Sequence, residues 1–304
     1  MVGVGLALAG VAFTGLVILE HGALDRLSWD ARHCAVLVLA CGAYAILSVL
    51  LVLVWATILD AFAPGSISAK EAYALYAITQ VMKYLPSNVV HFVSRHVALR
   101  RSGVSHLALV STVFGETAVL VCGACFVVLA FGTDLLAAVH GRYLRVEGAS
   151  IMVAVGLTSG LGATLAWLHG SRLRRLVATG MWRRFVPRLM GAFAAAALFF
   201  AATSVLVATV CRLLLEDPAG FSTSTVAATL AGAWVVGFFV PGASAGIGVR
   251  EAVVILALSP ALGAGNAAVI ATVYRIVTAG GDALFAGLGE LVRRFGADLA
   301  PGSR

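Results

Sequence analysis

Residues 34–59 read CAVLVLACGAYAILSVLLVLVWATIL, a run of twenty-six positions without a charged side chain. At 1.5 Å per residue a helix over this run is about 39 Å long, which exceeds the ~30 Å hydrocarbon core of a bilayer. Only a helix or a closed barrel satisfies its own backbone in hydrocarbon, and the run lacks the alternation of barrel strands. It therefore predicts a membrane-spanning helix.

The rest of the chain has the same character. Apolar residues make up 61% of its 304 positions and charged residues 12%, against about 45–50% and about 25% in globular proteins. The first apolar run of the chain, from Val2, lacks a basic n-region and a small-residue cleavage site, so it predicts a retained helix and not a signal peptide. The fold class expected is an all-α, polytopic helical membrane protein with a single membrane domain over 1–304. The five further predicted spans are 2–19, 106–131, 150–168, 190–215 and 267–292.

Two more apolar segments are interrupted by loop-forming residues. Segment 69–104 is broken by the sequence YLPSN at 84–88, and segment 226–259 is broken by VPGASAG at 240–246. Proline lacks a helical N–H donor, and glycine and asparagine favour loop backbone. With six full spans, each broken segment must enter and leave the membrane on the same side. Both are therefore predicted to be re-entrant hairpins.

The positions of the arginines predict the orientation. Loop 169–189 contains six arginines and belongs in the cytoplasm, whereas loop 216–225 contains only acidic charges and belongs outside. Both termini are then cytoplasmic, the first hairpin enters from the cytoplasm, and the second enters from outside. The net charge of +7 has the same origin, so it does not indicate a nucleic-acid partner.

The two broken segments belong to an internal repeat. A shift of 155 residues places Pro86 on Pro241 and Arg95 on Arg250, and a shift of 160 places STVF at 111–114 on ATVY at 271–274. Each half is a span, a hairpin and a span, and the halves have opposite predicted orientations. Inverted repeats with broken helices recur in transporters, where the breaks lie near the midplane and face the substrate. The predicted repeats are 34–131 and 190–292.

Charged and polar side chains within these apolar segments form the candidate site. A charge in the membrane costs about 2.5–3.5 kcal/mol on insertion scales, so each one requires an explanation. Those selected lie in a hairpin or near mid-depth in a span. The candidate substrate-binding residues are Lys83, Asn88, His91, Arg95, Glu116, Ser244, Arg250, Glu251, Arg275 and Asp282.

One interpretation of this set is an anion site. Arg95, Arg250 and Arg275 would grip a phosphate through their guanidinium groups, assisted by N–H groups where the helices restart. The carboxylates would hold the arginines when the site is empty. The alternative is structural: Glu116 or Glu251 pairs with Arg250 or Arg275 and joins the two halves.

Two histidines and one pair of cysteines are the next candidates for a functional role. His91 and His96 either titrate during a transport cycle or are hydrogen-bonded wall residues. The CGAC sequence at 122–125 has redox or metal spacing, but it lies mid-span without nearby His or Cys ligands, so a packing role is expected. No zinc-binding spacing, Walker A loop, nucleophile elbow or His-Glu-x-x-His sequence occurs. Neither an enzyme nor a cofactor is expected.

Three stretches resemble one known family, the lysylphosphatidylglycerol synthase transmembrane region or flippase-like domain family. KYLPSNVVHFVSRHVALRRSG at 83–103 resembles its first hairpin, PGASAGIGVREA at 241–252 its second, and YRIVTAGGD at 274–282 the following helix. The resemblance covers about residues 60–292. Ser87 stands where the family often has glycine, so the first hairpin is expected to bend differently.

The resemblance implies translocation or handling of phospholipids or lipid-linked glycans. The bifunctional members, the multiple peptide resistance factors, also carry a cytosolic aminoacyl-transferase domain, which this sequence does not contain, so lipid lysinylation is not expected. We expect a flippase-like transporter of the bacterial inner membrane that takes a phospholipid or polyprenyl-linked lipid, alone or as a homodimer. The alternatives are a non-transporting lipid-binding partner of a membrane glycosyltransferase or lipid-modifying enzyme, and a structural protein whose buried charges are only ion pairs.

Overall fold

The computed structural model describes residues 30–85, 89–132, 182–215, 220–240 and 243–297, with two isolated positions at 16 and 19. Within these ranges every regular element is a helix, which confirms the all-α class. Apart from the two isolated positions, the predicted spans 2–19 and 150–168 lie outside the described residues. Asn88 and most of the arginine-rich loop lie outside them as well.

The described residues form nine α-helices and two short 3₁₀ turns. The helices are α1 (Ala31–Leu47), α2 (Val49–Phe62), α3 (Ala69–Gln80), α4 (Val90–Arg101), α5 (His106–Phe131), α6 (Trp182–Leu214), α7 (Thr223–Phe239), α8 (Val249–Leu262) and α9 (Ala264–Ala297), and the turns are Val81–Tyr84 and Ser244–Gly246. Helices α1 and α2 are nearly continuous. Between them, the Ser48 hydroxyl donates a hydrogen bond to the Tyr44 carbonyl at 2.9 Å, an arrangement that often bends a helix.

Short polar residues set where several helices begin. The Asp30 carboxylate accepts from the His33 backbone N–H at 2.8 Å, and Ser105 and Ser222 cap α5 and α7 in the same way. Ser68 and Glu71 form a reciprocal capping box at the start of α3. Such caps satisfy N–H groups that have no partner within the helix.

Among the residues that the structure describes, five helical segments are long and apolar enough to cross a membrane. They are Ala31–Phe62, His106–Phe131, Val186–Leu214, Ser244–Leu262 and Ala264–Phe295. Four of them coincide with predicted spans, and the chain is a polytopic helical membrane protein. The fifth contains the second arm of a segment predicted to be a hairpin. The count of six spans and the re-entrant course of both broken segments therefore stay predictions.

Both predicted interruptions are present as breaks between helices. The first break runs from the turn Val81–Tyr84 to the start of α4, and the second runs from the end of α7 through Ser244–Gly246 to α8. In the second break Ala245 and Gly246 have φ angles of 50° and 69°. This left-handed region costs glycine little, whereas an alanine there is strained.

The helices of the two halves pack in an exchanged pattern. Helix α3 from the first half packs on α9 of the second, and α7 from the second half packs on α5 of the first. The two 3₁₀ turns touch each other at the centre. A two-fold relation between the halves would produce this exchange, and the inverted orientation of the repeats stays a prediction.

Candidate functional site

A cavity of about 70 Å³ lies where the two breaks meet, with walls from all nine helices and both turns. A single water needs roughly 10–15 Å³ by this measure, so the cavity holds several waters or a small polar group. Five of the predicted site residues line it: Lys83, His91, Arg95, Glu116 and Arg250.

Arg95 is buried and fully engaged by protein groups. Its Nη1 donates to both oxygens of Glu116 at 3.0 and 3.2 Å, its Nε donates to Thr79 at 3.0 Å, and its Nη2 donates to Gln80 at 3.2 Å. The ring of Tyr76 covers the guanidinium at 3.8 Å, and its hydroxyl donates to Glu116 at 3.0 Å. Burial of an ion pair is tolerated when the remaining donors and acceptors are satisfied in this way.

Lys83 makes a second ion pair, which connects the first break to the last helix. Its Nζ lies 2.8 Å from Oδ2 of Asp282, a carboxylate with no exposed surface. The Tyr84 hydroxyl donates to the same oxygen at 2.7 Å, while the other oxygen, Oδ1, has no partner among the described residues.

Arg275 makes a third ion pair beside the second break. Its Nε donates to Glu251, and its Nη1 donates to the Ala245 carbonyl at 3.5 Å. The other oxygen of Glu251 accepts from the Gly248 N–H at 2.7 Å, which caps α8. Neither Arg275 nor Glu251 is among the residues that line the cavity.

Arg250 lines the cavity and differs from the other three cations. It is 8% exposed, and no hydrogen bond or carboxylate within 4.0 Å engages it among the described residues. Its guanidinium lies 5.9 Å from the centre of the Trp234 ring. Gly246 makes room for it, because a Cβ at that position would approach Arg250 Nε to 2.5 Å.

His91 also faces the cavity as a buried group. Its ring lies 3.9 Å from the Phe92 ring, and its Nδ1 has no hydrogen-bond partner in the described part of the chain. Helices α6 and α7 contribute four aromatic side chains to the cavity wall, together with smaller polar and apolar residues. The aromatic residues are Phe199, Phe200, Trp234 and Phe238, of which Trp234 lies beside Arg250.

The charge pairing agrees with parts of both sequence-based interpretations. Glu251 pairs with Arg275, and Glu116 pairs with Arg95, as expected if the carboxylates hold the arginines, and not with Arg250 or Arg275, as in the structural alternative. Asp282 holds a lysine and not an arginine. The cause is proximity in the fold, since α4 and α5 are joined by a short turn and α3 lies against α9.

The remaining predicted residues divide into two groups. Ser244 and Asp282 lie next to the cavity but are not among its lining residues, and Asn88 is outside the described residues. Sequence reasoning missed Tyr76, Thr79 and Gln80, which hold the Arg95–Glu116 pair. Together with Lys83 they follow the i, i+3, i+4, i+7 spacing of one helical face, a signal that was available in the sequence.

The buried charges of the described residues sum to one excess cation. Lys83, Arg95 and Arg275 each have a carboxylate, and Arg250 has none. A guanidinium in a polar cavity is suited to binding an anion. Among the described residues no group of three or more His, Cys, Asp or Glu side chains is placed to hold a metal ion.

No protein-family model matches this chain, and no curated protein matches it.

Proposed function

We propose that this chain is a lipid flippase-like transporter that moves or binds a phosphate-containing lipid or lipid-linked glycan between the leaflets of the bacterial inner membrane. The observation that carries the proposal is Arg250, a buried guanidinium without a described partner, at a cavity where two helix breaks meet. The proposal includes cytoplasmic termini and no enzymatic activity.

The chemistry of Arg250 supports an anionic ligand. A charge in an apolar membrane protein is costly unless it is paired. The planar guanidinium fork matches phosphate oxygens better than it matches most other ligands. An anion at Arg250 would also lie within reach of the other cavity groups, including Lys83 and His91.

The surroundings of the cavity favour a lipid as the source of that phosphate. The aromatic side chains of α6 and α7 offer an apolar surface beside Arg250, which suits a headgroup with an attached sugar or glycerol. The acyl or polyprenyl chain would remain in the bilayer between helices whose outer faces are apolar. The segments that resemble the flippase-like family include Lys83, His91, Arg95 and Arg250, all of which line the cavity.

Rocking of the two halves about the contact between the breaks would expose the cavity to each leaflet in turn. The membrane potential contributes about 2.3 kcal/mol per charge per 100 mV, which is enough to bias a charged headgroup without ATP.

The test is a leaflet assay in proteoliposomes, with the lipids that native mass spectrometry identifies in the purified protein. Arg250→Ala should slow translocation by about 10- to 100-fold, because a hydrogen-bonded contact with a charged group contributes about 1.5–3 kcal/mol. Arg250→Lys should recover part of the rate. Arg188→Ala is the matched control, since Arg188 is exposed and pairs with Asp60 at the surface.

Translocation by Arg250→Ala at the wild-type rate would refute the site assignment. Retention of lipid by the wild-type protein without any translocation would instead favour a lipid-binding partner of a glycosyltransferase or lipid-modifying enzyme.

A further inference from the structure

Glu116 separates two cavities. It lines the central cavity and also a smaller one of about 10 Å³ between α2, α4 and α5, which has room for about one water. Arg95 and Phe92 line both cavities as well. The Arg95–Glu116 pair is therefore the partition between them.

The outer end of the small cavity carries two histidines. His96 lines it, and His96 Nε2 lies 2.8 Å from Nδ1 of His106, an exposed residue at the start of α5. At this distance one imidazole donates a hydrogen bond to the other, and an imidazole can accept a proton at one ring nitrogen and release one from the other. The small cavity thus lies between a hydrogen-bonded histidine pair, of which His106 is exposed, and the buried carboxylate of Glu116.

While Glu116 is ionised, its carboxylate holds Arg95 Nη1 and competes with a ligand anion for that guanidinium. Each of its three nitrogens already donates to a protein oxygen. A proton on Glu116 removes the negative charge that holds Nη1 and raises the excess positive charge at the cavity from one to two. Anion binding and protonation of Glu116 therefore favour each other, and this coupling is reciprocal.

From these contacts we propose that Glu116 takes up a proton when the anionic headgroup binds, so that the protein carries a proton together with its lipid. The proton passes from the His96–His106 pair through the small cavity to a Glu116 oxygen, the ion pair with Arg95 opens, and Arg95 joins Arg250 at the anion. Release of the lipid returns Arg95 to Glu116, and the proton leaves Glu116 into the central cavity, which Glu116 also lines. This inference rests on the proposed function, because it assigns the coupling ion of the same site.

Other titratable groups also face this region. Helices α2, α6 and α7 contribute only non-titratable residues to the two cavities. The titratable and charged groups from the remaining elements are Tyr44, Tyr76, Lys83, Tyr84, His91, Arg95, His96, Arg250 and Tyr274. Of these, His91 is the rival source of a pH effect, so the experiment must separate it from Glu116.

The experiment is calorimetric binding of dihexanoylphosphatidylglycerol, a short-chain phosphodiester that keeps one negative charge between pH 6 and 8. The wild-type affinity should increase as the pH falls, by at most about tenfold per pH unit for one coupled proton. Glu116→Gln should bind this lipid tightly, and with the same affinity at pH 6 and at pH 8. Asp60→Asn is the control, because its carboxylate is also paired with an arginine but is exposed and lines neither cavity, and it should keep the wild-type pH dependence.

A second measurement requires no variant. Titrations of the wild-type protein in two buffers of different ionisation enthalpy report the protons taken up per lipid, and the expected value approaches one. Binding without proton uptake, or a pH dependence that survives in Glu116→Gln and so points to His91, overturns the coupling and leaves the proposed function intact. No binding of this lipid by the wild-type protein at either pH contradicts both.

Discussion

Removal of either partner of the Lys83–Asp282 ion pair should strongly destabilise the protein, and this loss provides a quantitative test of the fold. The two groups lie 2.8 Å apart, with exposed side-chain fractions of 14% and 0%. At an effective dielectric constant of about 20, the Coulomb energy at that distance is about 6 kcal/mol. Desolvation of the two ions offsets part of it, but removal of one partner leaves the other unpaired in the interior. We expect Asp282→Asn and Lys83→Met each to destabilise the protein by about 3–5 kcal/mol.

The double variant distinguishes an ion pair from two independent residues. When both charges are removed, no unpaired charge is left in the interior. The double variant Lys83→Met with Asp282→Asn should therefore lower the free energy of unfolding less than either single change. The free energies of unfolding would be measured in mixed micelles with a denaturing detergent and followed by circular dichroism. The interaction energy from the cycle then isolates the pair.

An exposed ion pair supplies the control cycle. Arg188 and Asp60 lie 3.1 Å apart with exposed fractions of 55% and 43%, and surface pairs contribute about 0–1 kcal/mol. Arg188→Met with Asp60→Asn should therefore show little coupling. If the two buried single changes simply add in the double variant, the argument that the first break is tied to α9 by charge is wrong.

Two further predictions concern packing and capping. Gly289→Val should destabilise the protein by about 1–3 kcal/mol, since a Cβ at Gly289 would lie 2.5 Å from the Cβ of Ala77 where α3 meets α9. The measurement is thermal unfolding. Gly287→Val is the control, because the space around Gly287 is open. Ser68→Ala should cost about 1 kcal/mol at neutral pH through loss of the α3 cap. The hydrogen bonds from Ser68 hold the pKa of Glu71 below its ordinary 4.5. The bond from the Ser68 hydroxyl to the Glu71 carboxylate is therefore present above that pH and is lost as the pH falls through the lowered pKa. The bond from the Glu71 N–H to the Ser68 hydroxyl does not titrate, so the difference between the variant and the wild type should narrow in acid without vanishing.

The sequence was sufficient for the helical membrane fold and for both breaks. Long uncharged runs leave no alternative to spanning helices, and proline or glycine within such a run ends a helix locally. The repeat also anticipated that Arg95 and Arg250 belong to one site, because equivalent positions in two-fold related halves lie at equivalent distances from their shared centre. Both line the same cavity.

The ion-pair partners could not be predicted in the same way. Lys83 and Asp282 are 199 positions apart in the sequence, and their contact depends on how α9 is rotated against the first break. Periodicity places a residue on a helix face, but it does not specify which face of another helix will meet it. The sequence spacing shows that Tyr76, Thr79 and Gln80 share one polar face of α3. It does not show that this face contacts Arg95.

The predicted repeat offers a reason why Arg250 is the buried arginine without a carboxylate among the described residues. Arg95 and Arg250 are equivalent under the 155-residue shift, and the 160-residue shift that aligns the following helices places Ile276 at the position of Glu116. The first half therefore has a carboxylate for its arginine, and the second half has isoleucine at the corresponding position. The neighbouring Arg275 does not supply the missing charge and instead takes Glu251 for itself. The difference between the two predicted repeats thus leaves Arg250 without a carboxylate among the described residues, whereas Arg95 is paired with Glu116.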